Sequence, residues 1–525
     1  MGSQRLRVDC QAGTAEGLAD VGDGVAGFFG MPFTEPAGGE RRFQPPLSPV
    51  SWPGTLDATD FGPSAAHLYD RHEGTLEDFG ETDDDPERIF VGGEGSLTLN
   101  IWTPGCDARR RPTVIFIHGG ANWVGSSRLP LYHGDRLARR CDVVFVSFNY
   151  RLGMLGFMEF GAFGGPDYRG SHANGLRDQL AAILWVRENI AAFGGDPERI
   201  TLMGESAGSI DITWLMASGA LSGLTRRVIL MSGIGGNRMR HDYSIAGGEA
   251  AADRFLEAAD IQDMPSLLSL DTRELMERHR RAFSKLHVFE QSMFTPRVDG
   301  DFIAQCPIAA AHSGAFAEFE ILLGYTSFEM GLYLLYDPDL AAKPYEQQLH
   351  GLNIDPEHQR QVIDVYDRVY GDDPQGIRGM RLLSDIWYVM PSLVMAEALS
   401  QFSESVWVYE FAWQNSASPL GAAHATDLCF WFDKLETEQA KVLLGSTGRG
   451  PERQRRNLLA QAMQNAIGRF AHGEQPQSPL LAGEWRPYSR AARNVLVIDE
   501  RSRLICDPRK ETREWWSENQ CLIWD

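Results

Sequence analysis

A sharp strand-to-helix turn around Ser206 constrains the fold of this chain more than any other stretch. The short apolar run 200–203 is followed at once by the pentapeptide Gly-Glu-Ser-Ala-Gly at 204–208, and residues 210–217 favour a helix. A turn that lifts a serine clear of a sheet needs unusual backbone angles, and it brings main chain so close that a Cβ at 204 or 208 would clash. Strand, turn and helix in this order are typical of a nucleophile elbow.

Buried strands alternate with helical segments around this turn. Thr113–Ile117, Asp142–Phe148 and Val228–Met231 are apolar without regular polar alternation, and residues 175–193 have helical spacing. Continuous apolar runs indicate strands that are buried on both faces. The pattern therefore predicts an α/β fold with a large, mostly parallel central sheet and helices on both faces.

The rest of the chain adds to this sheet rather than forming separate units. Residues 1–52 are rich in loops with strand-like fragments, residues 245–290 and 338–400 have mostly helical patterns, and residues 495–506 suggest a terminal hairpin. Because composition shows no clean break, we expect one domain over 1–525 with helical insertions.

The composition limits the kinds of molecule that this protein is expected to bind. The net charge of −22 disfavours nucleic acid and anionic membranes, both of which demand a positive footprint. The seven cysteines show no metal or disulfide-framework spacing, and residues 1–17 lack the apolar core of a secretory signal. The sequence contains no apolar run of 18 residues, the length that a membrane-spanning helix needs. The acidic run 81–85 is expected to lie in a solvated loop. We therefore expect a cytoplasmic protein with reduced thiols, without metal or cofactor.

A serine nucleophile needs a base and an acid that orients it. His424 lies in a loop of small residues soon after the strand-like run 406–413, where a sheet would place a base. Glu329 follows the short run 321–324 in the same manner. On these residues alone, His424 could also be a structural histidine, and Glu329 is as consistent with a surface glutamate.

A glycine-rich segment after the run 113–117 offers backbone donors. His118-Gly119-Gly120-Ala121 is similar to the oxyanion segments of esterases, and it precedes the elbow in the chain. The N–H groups of Gly120, Ala121 and Ala207 would then bind the oxyanion. The alternative is an ordinary glycine turn.

Taken together, these residues resemble the type-B carboxylesterase/cholinesterase family of α/β hydrolases, in particular its bacterial para-nitrobenzyl-esterase-like members. The resemblance extends over nearly the whole chain. Its motifs are Gly30–Phe33, Arg42-Phe43, Leu97–Ile101, His118–Ala121, Asn149–Gly153, Asn174–Gln179, Phe193–Pro197, Gly204–Gly208, Ser232-Gly233, and Pro296 with Asp299-Gly300.

The resemblance implies an α/β-hydrolase fold and a Ser206–Glu329–His424 triad. It also implies that Glu205 and Ser232 are polar groups near that triad. The chain departs from the family in lacking its first disulfide and, between 52 and 102, the tryptophan with which cholinesterases hold a quaternary ammonium. Further departures are Asn122 where an aromatic residue is common, Thr326 in place of an asparagine, and Asp427 where a glutamate is common.

The expected function is hydrolysis of a small to medium, fairly apolar carboxylic ester through an acyl-enzyme. An amide, carbamate or lactone hydrolase would use the same triad, and a non-catalytic binding protein on the same fold is a third reading. The pocket lining stays open, since plain core packing would equally explain the aromatic segments Trp123, Tyr333, Trp387-Tyr388 with Met390, and Phe430–Phe432. The chain is expected to be a monomer or a homodimer.

Overall fold

The computed structural model describes residues 4–47, 50–70, 88–237, 242–285, 293–352, 354–415, 418–445, 450–481 and 483–522. The acidic run 81–85, which we expect in a surface loop, lies outside the described residues.

A twisted sheet of thirteen strands organises the structure. The strands of the chain are β1 (Arg5–Cys10), β2 (Gly13–Leu18), β3 (Ala26–Pro32), β4 (Thr55–Asp57), β5 (His67–Asp70), β6 (Arg88–Val91), β7 (Thr98–Thr103), β8 (Arg111–Ile117), β9 (Val144–Phe148), β10 (Gly195–Glu205), β11 (Arg227–Met231), β12 (Glu320–Thr326), β13 (Val406–Phe411), β14 (Asn494–Ile498) and β15 (Arg503–Cys506). The order across the large sheet is β1-β2-β3-β7-β9-β8-β10-β11-β12-β13-β14-β15, with β4 beside β2, while β5 and β6 form a separate hairpin.

The middle of the sheet is parallel. β9, β8, β10, β11, β12, β13 and β14 pair in parallel, while the flanking β7 and β15 pair antiparallel. The carboxyl ends of β8, β10, β11, β12 and β13 therefore meet at one edge of the sheet, which is where ligands bind in such folds. The expected α/β fold with a mostly parallel sheet is confirmed.

Helices cover both faces of this sheet. They are α1 (Asp135–Cys141), α2 (Gly153–Phe157), α3 (Gly161–Gly164), α4 (Asn174–Asn189), α5 (Ala207–Ala217), α6 (Ile245–Ala259), α7 (Met264–Ser269), α8 (Thr272–Lys285), α9 (Pro307–His312), α10 (Tyr345–Gln348), α11 (Pro356–Val369), α12 (Gln375–Ser384), α13 (Met390–Leu399), α14 (Leu428–Trp431), α15 (Glu438–Leu444), α16 (Pro451–Ala471) and α17 (Lys510–Glu518).

Alternate residues of the central strands point to opposite faces and enter separate hydrophobic clusters. Along β8, Ile115 and Ile117 belong to one cluster, and Val114 and Phe116 belong to the other. This arrangement explains why the run 113–117 carries no polar alternation.

One long apolar helix comes from the insertion 338–400. A π-helical turn at Asp385–Val389 joins α12 to α13, so residues 375–399 form a single helical rod. Within the described part of the chain, this rod alone is long and apolar enough to cross a membrane. However, 89% of its most apolar stretch is buried inside the protein, as expected for a core helix.

One boundary predicted from sequence shifts. The strand before Ser206 begins at Gly195 rather than at Ile200. The predicted terminal hairpin is present as the antiparallel pair β14 and β15. In the described ranges, which include all seven cysteines, no disulfide is present. The division of 1–525 into a single domain stays a prediction.

Candidate active site

The turn at Ser206 is tight and strained. Ser206 has φ 53° and ψ −121°, a conformation that non-glycine residues seldom adopt. A Cβ on Gly204 would lie 2.6 Å from the backbone of Gly208, and a Cβ on Gly208 would lie 2.1 Å from the carbonyl oxygen of Ile117. The clash expected at 204 and 208 is therefore confirmed, and the glycines let β8 and α5 approach the turn.

Glu329 and His424 are brought together from two different strands. Glu329 follows β12 and is fully buried, while His424 lies in the loop after β13 with an exposure of 4%. Nδ1 of His424 lies 2.6 Å from Oε2 of Glu329. The backbone N–H of His424 also donates to the Glu329 carbonyl at 3.2 Å.

The other carboxylate oxygen of Glu329 accepts two further bonds. The Ser232 hydroxyl donates to Oε1 at 2.8 Å, and the backbone N–H of Thr326 donates at 2.7 Å. Because the backbone makes the contact at 326, a threonine can stand there in place of the family's asparagine. The carboxylate is thus held on both oxygens, which fixes the direction it presents to the imidazole.

The second nitrogen of the imidazole faces Glu205. Nε2 of His424 lies 3.2 Å from Oε1 of Glu205, and both side chains are buried. Burial raises the pKa of Glu205 above its ordinary value. Although burial lowers the pKa of His424, the charges of Glu205 and Glu329 and the hydrogen bond to Glu329 raise it overall. The Glu205–His424 pair therefore keeps a shared proton to higher pH than an isolated imidazole would.

The loop after β8 closes the site from the side of the elbow. A Cβ on Gly119 would lie 2.5 Å from Oε2 of Glu205 and 2.9 Å from Cβ of Ser206, so this glycine brings the loop against the turn. Within the described ranges, no group accepts a hydrogen bond from the backbone N–H of Gly120, Ala121 or Ala207. Such unsatisfied donors beside a serine are able to bind a developing oxyanion.

The aromatic segments divide into core and site. Phe430, Trp431 and Phe432 are fully buried and pack in the hydrophobic cluster with β8 and β13. Tyr388, on the π-helical turn, places its ring against the imidazole of His424, with ring centroids 4.5 Å apart. Its hydroxyl lies 2.8 Å from that of Tyr333.

Three features of the site escaped sequence reasoning: the contact of Tyr388 with His424, the contacts of Asp427, and the bond between Asn122 and Asp211. Asp427 accepts from the Tyr409 hydroxyl at 2.8 Å and from the Trp431 indole at 3.2 Å, and burial raises its pKa to about 6. A π-helical turn, which is frequent at functional sites, is the signal that could have pointed to Tyr388, but no local pattern in the sequence marks it.

The described residues contain no group of three or more histidine, cysteine and carboxylate side chains placed to hold a metal ion. The chemistry available is that of a strained serine directly after Glu205, whose carboxylate faces Nε2 of an imidazole that a second buried carboxylate holds at Nδ1. In general this arrangement activates a hydroxyl for attack on an acyl carbon.

Comparisons with known proteins agree with this geometry. The family model described as "Carboxylesterase family" matches residues 4–524. The para-nitrobenzyl esterase of Bacillus subtilis (strain 168) is 30% identical over 516 residues, which cover 97% of each chain. A cholinesterase of Mus musculus is 28% identical over 470 residues, which cover 81% of this chain and 73% of the mouse protein.

Solved structures show the same likeness. The crystal structure of a Geobacillus stearothermophilus carboxylesterase at pH 6.2 superposes with a TM-score of 0.82 at 31% identity, covering 97% of this chain and 99% of that one. A thermophilic para-nitrobenzyl esterase gives a TM-score of 0.80 at 27% identity, covering 98% of this chain and 100% of that one. The fold is thus the α/β-hydrolase fold, the activity is serine carboxylic-ester hydrolysis, and the chain belongs to the carboxylesterase family.

Proposed function

We propose that Ser206 is the nucleophile of this carboxylesterase, that His424 is its general base and that Glu329 orients the imidazole. The observation that carries this assignment is the 2.6 Å contact between His424 and Glu329 beside the strained turn at Ser206. Glu329 holds the proton on Nδ1, which leaves Nε2 to take the proton of the serine hydroxyl.

The reaction then has two stages. Ser206 Oγ attacks the ester carbonyl while His424 takes its proton, and His424 returns that proton to the alcohol as the C–O bond breaks. Water, deprotonated by the same imidazole, releases the acid from the acyl-enzyme. The N–H groups of Gly120, Ala121 and Ala207 stabilise the oxyanion in both stages.

The aromatic side chains beside His424 support a small to medium, fairly apolar ester as the substrate. Trp387 packs edge-on against Tyr333 at 5.7 Å, and Tyr388 lies against the imidazole. The Bacillus subtilis relative is named a para-nitrobenzyl esterase, which fits an aromatic leaving group. Comparing kcat/KM on matched p-nitrophenyl esters and p-nitroanilides tests ester against amide preference, and we expect the esters to be preferred. A panel of acyl chain lengths then bounds the size of the pocket.

The test of the catalytic assignment is Ser206→Ala with Ser218→Ala as the matched control. Ser218 lies at the other end of the helix that starts at Ser206, and its hydroxyl donates to the Leu215 carbonyl. We expect Ser206→Ala to lower kcat by about 10⁴–10⁶-fold and to abolish labelling by a fluorophosphonate. We expect Ser218→Ala to keep both. Near-normal hydrolysis by Ser206→Ala would refute the assignment. If the fluorophosphonate failed to label the wild-type protein, a non-catalytic role would be favoured instead.

We also propose a cytoplasmic location in a bacterial cell, a monomeric or homodimeric state, and no binding to nucleic acid or membranes. Seven cysteines without a disulfide in the described ranges support a reducing compartment, and the net charge of −22 disfavours anionic partners. Cell fractionation and light scattering of the purified protein test these proposals.

A further inference from the structure

The oxyanion loop has an unusual backbone. Gly120, Ala121 and Asn122 follow one another with φ of 108°, 54° and 62°. Left-handed angles suit glycine and are tolerated by asparagine, but they are unfavourable for alanine. A loop of this kind persists only where its surroundings hold it in place.

Asn122 holds this loop in place. Its side chain is buried, and Nδ2 donates to Oδ1 of Asp211 at 3.1 Å and to the Phe294 carbonyl at 3.4 Å. Its Oδ1 accepts from the Tyr150 hydroxyl at 3.4 Å. Its own backbone carbonyl accepts from the Gly153 N–H at 2.5 Å. Both the main chain and the side chain of this residue are therefore anchored.

Asp211 is a buried carboxylate whose partners are uncharged. It lies on α5, five residues after Ser206, and it is fully buried. Its oxygens accept from Asn122 and from Nε2 of Gln179, the latter at 2.5 Å. Within the described ranges its side-chain partners are these two amides, and no cation is among the groups that shift its pKa. A buried carboxylate without a cation is costly, so its presence calls for a role.

The bond between Asn122 and Asp211 joins the two halves of the oxyanion site. Gly120 and Ala121 lie on the loop directly before Asn122, and Ala207 starts the helix that carries Asp211. We propose that the Asn122–Asp211 pair is a positioning element that fixes the N–H groups of the loop relative to the nucleophile's helix. This inference rests on the proposed function, because it assumes that these N–H groups bind the oxyanion.

Electrostatics make the pair testable by pH. Burial raises the pKa of Asp211 to about 7. Tyr150, from the loop after β9, faces the pair through its hydroxyl, and burial followed by the charge of Asp211 raises its own pKa well above the ordinary value. A second carboxylate at position 122 would therefore meet Asp211 in a buried site, where two like charges at hydrogen-bond distance cannot both persist.

The experiment is a swap of the two side chains. Asn122→Asp leaves two carboxylates that bond only while they share a proton, so we expect kcat to develop an alkaline limb and to fall about 10–100-fold at pH 9, with KM changed by less than about threefold. The double variant Asn122→Asp with Asp211→Asn restores one amide and one carboxylate. We expect it to regain kcat to within about threefold of wild type and to lose the alkaline limb. Gln179 can keep its present bond in the double variant, because the amide at position 211 would turn its NH₂ group toward position 122 and its oxygen toward Nε2 of Gln179.

Asn122→Gly covers the case in which Asn122→Asp does not fold, because glycine keeps the left-handed backbone while removing the side-chain bond. We expect its kcat per active site, counted by fluorophosphonate titration, to fall about tenfold with little change in KM. A pH profile of Asn122→Asp that superimposes on wild type, or a swap no better than the single variant, overturns the inference. Ser206→Ala in the same assays separates the two proposals: if it is inactive while the Asn122 variants behave as wild type, only the positioning role fails.

Discussion

The two halves of the active site are held by different forces. The elbow half, at Gly119, Gly204 and Gly208, is held by close packing of the main chain, in which a Cβ on Gly208 would come within 2.1 Å of a carbonyl oxygen. The acid–base half, Glu329 and His424, is held by hydrogen bonds between buried side chains that meet at 2.6–2.8 Å. Substitutions at these glycines should therefore act mainly on folding, and substitutions of Glu329 or His424 should act on chemistry in a protein that still folds.

The substitution with the largest expected effect on the acid–base half is Glu329→Gln. A glutamine keeps the shape but does not stabilise the imidazolium or enforce the proton on Nδ1 of His424, so we expect kcat to fall about 10³–10⁴-fold. The melting temperature should change by only a few degrees, because Ser232 and Thr326 can still donate to the amide oxygen. Steady-state kinetics and thermal denaturation measure the two effects.

The control is Glu320→Gln, since Glu320 begins the same strand at the opposite edge of the sheet and pairs with Arg226 and Arg227. Its kcat should stay within about twofold of wild type. A Glu329→Gln enzyme that loses less than about tenfold in kcat would contradict the assigned role of Glu329.

The corresponding substitution in the elbow half is Gly208→Ala. The added Cβ would meet the carbonyl oxygens of Ile117 and His118 at 2.1 and 2.8 Å, and these belong to a buried strand end that cannot move aside freely. We expect the free energy of unfolding to fall by about 2–4 kcal/mol. Gly95→Ala is the control, because a Cβ on Gly95 meets no atom within 4 Å. It should change stability by less than about 1 kcal/mol. Equal denaturation curves for the two variants would show that the close approach at Gly208 is relieved at little cost.

This division also explains what could be predicted from the sequence. The elbow half is local: a strand, a glycine, a serine, a glycine and a helix fall within one short window, and their spacing carries the geometry. The carboxyl ends of the strands placed Glu329 and His424 at the correct edge, but these residues are separated by 95 positions. Its position after a strand favoured His424 as the base, whereas only the family resemblance favoured Glu329 over a surface glutamate.

Contacts that join distant side chains left no signal. Asn122 was visible as a departure from the family, but its partner Asp211 is 89 positions away. Asp211 lies in a helical segment, where a polar residue gives no sign of a distant partner. Tyr388 contacts His424 because a π-helical turn interrupts the long helix, and that turn has no composition that marks it. Such features depend on tertiary packing, which local spacing does not encode.

Glu205 lies on the elbow but faces Nε2 of His424, so Glu205→Gln tests the electrostatics between the two halves. The charge of Glu205 helps to raise the pKa of His424, so the imidazolium persists to higher pH and activity is lost as the pH falls through that pKa. Removing the charge should move the acidic limb of kcat/KM to lower pH by about one unit. The profile of Glu320→Gln should stay in place. An acidic limb that is unmoved, or that moves to higher pH, would mean that Glu205 does not hold the proton with His424.

Ser232→Ala has the smallest expected effect on kcat, and it distinguishes a bond that positions Glu329 from the triad itself. The Ser232 hydroxyl donates to Oε1 of Glu329 at 2.8 Å, but the Thr326 N–H donates to the same oxygen, so Ser232→Ala leaves the carboxylate held by one bond and by His424. A neutral donor to a charged acceptor is worth about 1.5–3 kcal/mol at most, and the remaining bond limits the displacement, so we expect kcat to fall by about tenfold or less with KM unchanged. Ser218→Ala, which removes a hydroxyl that does not contact the triad, should leave kcat unchanged. If Ser232→Ala instead approached the loss of Glu329→Gln, the backbone bond from Thr326 would contribute little, and this half of the site would depend on its side chains alone.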